Sequence, residues 1–308
     1  MSAVLLQNTG RRETRLAFAA LMGSGVAWGL IWIPLKFFAA AGLNGQVLGL
    51  SVYALIGLAT LPLIWRERAA WRGELRLLLL IGLFFGWANM AFTSAIMMGS
   101  VVRAMLLFYL LPAWGAIGGV LFLRERLALP RLLAVALSLG GVFVIMGGVA
   151  IFSQPLSIAD GMALSAGFCY TAAGIANRKA RRIPLLSRTL VSFIGCGLIA
   201  LGMMAFTTPV LPEIAGTTWA LLALFGTVWL LGGTLLTTYG VTHVEVSRAA
   251  VLQVLELLVA VVSAIAIGGE SMGLKEWIGA AMIVGATLLE ATSTASVEEA
   301  VTNGVPHG

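Results

Sequence analysis

Glu256 holds the most unusual position in this chain. It sits inside an apolar run, eight residues past Arg248 and fourteen before Glu270, and no other acidic residue lies so clearly within one. A carboxylate at mid-membrane depth costs about 2.5–3.5 kcal/mol or more on insertion scales, so it is normally paired, protonated or facing water. Gln253 comes one helical turn earlier and on the same face. Such a pair can carry a coupling proton or hold a substrate ammonium. It can also be a purely structural hydrogen bond, to Gln253 or to a threonine of the preceding stretch.

The tryptophans divide by depth. Trp65, Trp71, Trp219 and Trp277 fall at the ends of apolar runs, where an amphipathic ring suits the headgroup zone. Trp28, Trp32, Trp87, Trp114 and Trp229 fall well inside such runs. Lipid offers an indole N–H no partner there, so the ring must face protein or a wet cavity. Five together point to a pocket for a flat aromatic compound, with simple packing as the alternative for each. Gly25, Trp28, Gly29, Trp32 and Lys36 share one helical face, and Gly25 and Gly29 permit close helix approach. Lys36 either attracts a carboxylate or snorkels to headgroups. Asn89 brings an amide to the depth of Trp87. Further on, Met105, Tyr109 and Pro112 share a face, with Trp114 opposite Tyr109. A second set comprises Tyr170 and Asn177, followed by Thr234, Thr237, Thr238 and Tyr239. Pro112 frees a backbone carbonyl and serves as hinge or kink.

No enzyme constellation accompanies these residues. The chain has two histidines, and no nucleophile elbow, phosphate loop or dinucleotide fingerprint. Catalysis is not expected, and neither is a metal or cofactor. Cys169 and Cys196 both lie in apolar stretches and read as buried hydrophobes.

These side chains need helices across a bilayer to hold them. The chain is 60% apolar and only 10% charged, with mean hydropathy +1.00, whereas soluble domains carry about a quarter charged residues. Ten runs reach the ~20 apolar residues a span requires: 16–37, 46–65, 75–97, 103–123, 131–150, 158–177, 187–207, 217–240, 248–268 and 274–292. With a cytoplasmic N-terminus, sixteen of the nineteen lysines and arginines fall on the cytoplasmic side and only Lys36, Arg103 and Lys275 outside. That places both termini in the cytoplasm. The six-charge basic excess reflects this sidedness, not nucleic-acid binding.

The chain also repeats itself. Shifted by 145 positions, residues 101–145 align without gaps on 246–290, with nine identities over 45 positions. Arg103 meets Arg248 and Glu125 meets Glu270, so two charges 22 residues apart recur. Glu125 and Glu270 read as structural, stabilising the turn into the next helix. Five spans is an odd number, so the second half enters the membrane inverted. Inverted repeats are the architecture of alternating-access carriers. The expected layout is a cytoplasmic segment (1–15), a first five-helix repeat (16–150), a second, inverted one (151–292) and a disordered tail (293–308).

Ala104, Pro112, Glu125 and Gly140, matched by Ala249, Glu270 and Gly285, give a helix closed by glutamate and followed by a glycine-bearing helix. This pattern resembles the drug/metabolite transporter superfamily (EamA-like) across residues 16–292. Within it, FYLLPAWGAI (108–117) and the aromatic-rich helices resemble the bacterial aromatic amino acid exporters. The resemblance implies an all-α carrier of the bacterial inner membrane, exporting small amphipathic solutes around a midplane cavity. The partners expected are a small-molecule cargo and the lipid bilayer, with no nucleic acid and no requirement beyond a monomer. Stacking surface is expected from Trp28, Trp32, Trp87, Tyr109, Tyr170 and Trp229. Asn89, Gln253 and Glu256 are expected at the headgroup or coupling ion. Alternatives are a drug or nucleotide-derived metabolite carrier, and from other classes a membrane enzyme or a non-transporting subunit.

Overall fold

Pro34 divides the first apolar stretch in two. Where the sequence suggests one helix over 16–37, the structure, a computed structural model, has α1 (Ser2–Gly29) and α2 (Trp32–Ala40). Proline lacks an amide hydrogen and crowds the carbonyl four residues back, here that of Leu30. The amide of Ile33 donates to that carbonyl instead, at 3.0 Å. The structure describes the backbone of residues 2–111, 113–115, 117–118, 129–145, 148, 156–180, 182–206, 215–243 and 246–303. Within these it describes all side chains but those of 2–15, 131, 178, 206, 238, 241–243, 246–254 and 290–303.

Among the described residues every regular element is helical. After α2 come α3 (Gly45–Arg66), the short α4 (Arg68–Trp71), α5 (Leu75–Met98), α6 (Val101–Phe108) and α7 (Leu129–Ile145). The second half has α8 (Ile158–Lys179), α9 (Leu185–Phe206) and α10 (Gly216–Leu224). A π-helical turn (Phe225–Leu231) leads into α11 (Gly232–His243), α12 (Val246–Ala266) and α13 (Leu274–Asn303). Helix α13 runs on through residues 293–303, where the sequence suggested a disordered tail. Alanines and glutamates favour helix there and no proline stops it before Asn303. Among the described residues five helical runs are long and apolar enough to cross a membrane: Leu16–Ala40, Gly45–Arg66, Arg68–Met98, Leu185–Ala205 and Gly216–Thr237. Shorter apolar helices cover 101–115, 132–145 and 255–266. Leucines such as Leu58, Leu79, Leu198 and Leu235 are more than half exposed on the outside of the bundle, a surface suited to lipid.

The two halves interlock instead of standing side by side. Helix α1 packs on α11 and α12, while α8 packs on α5 and α6. Offset by 145 residues, α8 corresponds to α1, and α5 and α6 to the α10–α11 run and α12, so each pairing mirrors the other. Helices α3 and α9 are counterparts that pack on each other, as are α7 and α13. Every one of these contacts crosses between the halves.

Close backbone approach makes the crossings possible. A Cβ at Gly29 would sit 2.8 Å from the Glu256 carbonyl oxygen, and one at Gly86 would sit 2.5 Å from the Gly195 carbonyl carbon. Packing of this kind stands in for the hydrophobic drive that lipid-immersed helices lack. In the α7–α13 contact the close glycines are Gly141, next to the repeated Gly140, and Gly279, six residues before the repeated Gly285. A Cβ at Gly141 would meet the Gly279 carbonyl at 2.9 Å, whereas Gly285 faces open space.

Candidate functional site

Helix α5 presents Phe85, Ala88, Asn89 and Phe92, at the i, i+3, i+4, i+7 spacing of one face, to a cavity of about 280 Å³ between the halves. That volume is near the lower end of the roughly 300–1,000 Å³ usual for small-molecule sites. Also lining it are Tyr109 after the end of α6, Tyr170 of α8, Glu256 of α12 and Trp28 of α1. The rings touch one another. Phe108 lies 4.7 Å from Phe92, 5.6 Å from Tyr109 and 5.5 Å from Tyr170, centroid to centroid. Edge-on and tilted pairs of this kind give a firm apolar wall.

The cavity also holds polar groups. Tyr109 and Glu256 both line it and are near enough to influence each other. Tyr109 can reach the cavity because α6 stops at Phe108, four residues before Pro112, which supplies no amide to the Phe108 carbonyl. That carbonyl lies against Gly167 of α8, where a Cβ would approach to 2.5 Å. Asn89 donates to the Phe85 carbonyl (3.1 Å) and accepts from the Tyr53 hydroxyl (3.5 Å).

The two ends of the cavity differ. At one end Glu270 accepts from the Ser100 hydroxyl (2.7 Å) and from the amides of Val101 (2.7 Å) and Val102 (3.1 Å). A carboxylate from one half thus caps α6 of the other, where the helix dipole favours negative charge. The sequence places Glu270 at the turn into its own next helix; its contacts here are to the first turn of α6 in the other half. At the same end Arg103 pairs bidentately with Asp160 (2.6 and 3.0 Å), and Lys36 donates to the Gly99 carbonyl at 2.6 Å. None of these side chains lines the cavity. At the other end Asn177, Arg188, Thr189 and Ser192 do line it. The cavity therefore reaches toward the Arg188 end, while a second hollow, lined by Ser100, Arg103 and Asp160, lies at the Glu270 end. Glu67 echoes Glu270 at the Arg188 end, accepting from the amide and hydroxyl of Ser187 in the first turns of α9.

The EamA-like transporter family pattern matches residues 15–147 and again 157–291, one copy per half. The chain belongs to the EamA-like transporter family. One crystal structure shares the fold at a TM-score of 0.56, covering 94% of this chain and 99% of its own at 17% identity. No curated protein sequence matches significantly. The chain is thus a multi-pass membrane transporter, in agreement with its apolar helices and doubled sequence.

In this transporter the residues singled out from sequence part into two groups. Trp28, Asn89, Tyr109, Tyr170 and Glu256 are brought together around the cavity. Trp32, Trp87 and Trp229 are not. The Trp32 indole donates to Ser263 (2.9 Å), Trp87 to Ser165 (3.1 Å) and Trp229 to the Ala27 carbonyl (2.9 Å). Trp28 lines the cavity and also donates to Thr237 at 3.0 Å. All four bonds cross between the halves. An indole that must find a partner away from water finds it on a neighbouring helix, and these three rings tie the halves together without lining this cavity. Trp114 packs edge-on against Phe168 with its N–H buried. The Gln253 side chain, Pro112 and Glu125 lie outside the described residues.

Sequence reasoning passed over Phe85, Phe92, Phe108, Tyr53 and Arg188. Phenylalanine has no polar atom to satisfy and can line an apolar cavity without a partner; the 85, 89, 92 spacing was the available signal. Arg188 was counted only as a marker of sidedness. The π turn holding Trp229 has no sequence signature. Its extra residue per turn is a feature often found at functional sites, and Phe225 and Leu230 from it line the cavity.

Proposed function

We propose that this transporter exports small amphipathic solutes, aromatic amino acids foremost, from the cytoplasm by alternating access. Ten spans in two inverted repeats would put both termini and the Arg188 end on the cytoplasmic side. The cavity would then be open inward and shut outward by the Glu270 cap, the Arg103–Asp160 pair and Lys36. The observation that carries this reading is a ring-walled cavity of about 280 Å³ with one described carboxylate, Glu256, in its lining. Rings stack on rings, and a cargo ammonium gains roughly 0.5–2 kcal/mol from a ring face. Glu256 is the group available to such an ammonium or to a coupling proton. Because helices pair across the halves, the units that rock are exchanged: α1 with α11 and α12 against α8 with α5 and α6.

Counterflow in liposomes tests this. Purified protein should exchange labelled tryptophan or phenylalanine against the unlabelled compound, with glycine and aspartate failing to compete. A response to an imposed pH gradient would assign the proton to Glu256, and indifference would assign the ammonium. Exchange no faster than in empty liposomes would overturn the proposal.

A further inference from the structure

Arg188 is the one described cation lining the cavity. It stands in the second turn of α9 and sends one terminal nitrogen to the Asn177 carbonyl, at 3.0 Å, near the end of α8. Its Nε–H is buried and has no hydrogen-bond partner among the described residues. No described carboxylate forms an ion pair with it. The nearby Glu67 is occupied by Ser187. The flanking hydroxyls of Thr189 and Ser192 donate to carbonyls of their own helix, those of Leu185 and Arg188. Buried donors are normally satisfied, and a planar guanidinium with an unspent edge fits a carboxylate through two parallel bonds. The guanidinium thus keeps an unspent edge beside a cavity walled mainly by rings and aliphatic side chains.

We propose that Arg188 receives the carboxylate of the cargo, with the cargo's ring directed inward to Phe85, Phe108 and Tyr170. This rests on the transport reading above and adds the orientation and the acidic group. Asn177 and Tyr170 are two turns apart on α8, roughly 10 Å of helix axis, comparable with an aromatic amino acid from carboxylate to ring edge. A single arginine suits one carboxylate; a nucleotide-derived cargo with several negative charges would leave the rest without a cation in a chamber that also holds Glu256.

The test compares tryptophan with tryptamine, the same indole and ammonium without the carboxylate, in counterflow with the parent, Arg188→Gln and Arg188→Lys. Arg188→Gln should raise the half-saturating tryptophan concentration roughly 10- to 100-fold, the loss of one charge-assisted interaction. Tryptamine, as substrate or competitor, should change less than about twofold, and Arg188→Lys should recover part of the tryptophan loss. Equal changes for both compounds would mean that Arg188 holds the fold or a lipid phosphate, and would overturn the assignment. So would a carboxylate requirement that survives Arg188→Gln. If the parent moves neither compound, the transport reading itself falls; if the parent moves tryptophan and Arg188→Gln matches it, only the assignment of Arg188 falls.

Discussion

Glu256→Gln should abolish most transport while leaving the protein at least as stable as the parent. Glutamine keeps the shape of the side chain, so the packing of α12 against α1 and α6 is undisturbed. It loses the charge. An ammonium partner would cost roughly 10- to 100-fold in apparent affinity, and a proton carrier would lose coupling altogether. Meanwhile the insertion cost of a carboxylate, about 2.5–3.5 kcal/mol, is relieved. A purely structural glutamate predicts the reverse, a lower melting temperature with transport preserved in the folded fraction. Thermal unfolding and counterflow on the same preparation separate the two. A Tyr109→Phe variant, which deletes a cavity hydroxyl near enough to influence Glu256, should show a smaller loss of the same kind.

The second large effect belongs to the fold. Gly195→Ala should lower the unfolding midpoint, and Gly195→Leu should prevent folded protein from accumulating. A Cβ at Gly195 would run into the Gly82 carbonyl, its carbon and its Cα. That obstacle is backbone, which cannot rotate aside as a side-chain tip can. Overpacking costs about 1–3 kcal/mol even where neighbours yield, and at about 2–4 °C per kcal/mol for chains near this size the alanine variant should lose several degrees. Gly202→Ala, on the same helix with nothing within 4 Å of the added carbon, should match the parent. Detergent-solubilised thermal scans of the three variants make the comparison.

How much of this was legible beforehand depends on whether the deciding partner is near in sequence. The apolar runs, the doubled sequence and Glu256 follow from period and composition, because each is a local property. The cavity-facing Phe85–Asn89–Phe92 stripe was equally local. The Trp32–Ser263 and Trp87–Ser165 bonds were not legible, since their partners lie 231 and 78 residues away and any serine or carbonyl could have served. Glu270 was recognised through its repeat, yet its target was not: a carboxylate beside a turn looks local until the amides of Val101 and Val102 arrive from the other half. Arg188 illustrates a different blindness. Lysines and arginines at helix ends are counted for sidedness, and the count conceals which of them turns inward.

Cargo protection of a single cysteine inside the cavity is the most direct measurement of the central claim. With Cys169 and Cys196 replaced by serine and alanine, Asn89→Cys places one thiol on the cavity face of α5. A membrane-impermeant maleimide applied from the cytoplasmic side should label it, and tryptophan at saturating concentration should slow that labelling at least several-fold. Labelling that proceeds at the same rate with and without tryptophan, in protein that still exchanges it, would mean that the cargo passes elsewhere and would contradict the account.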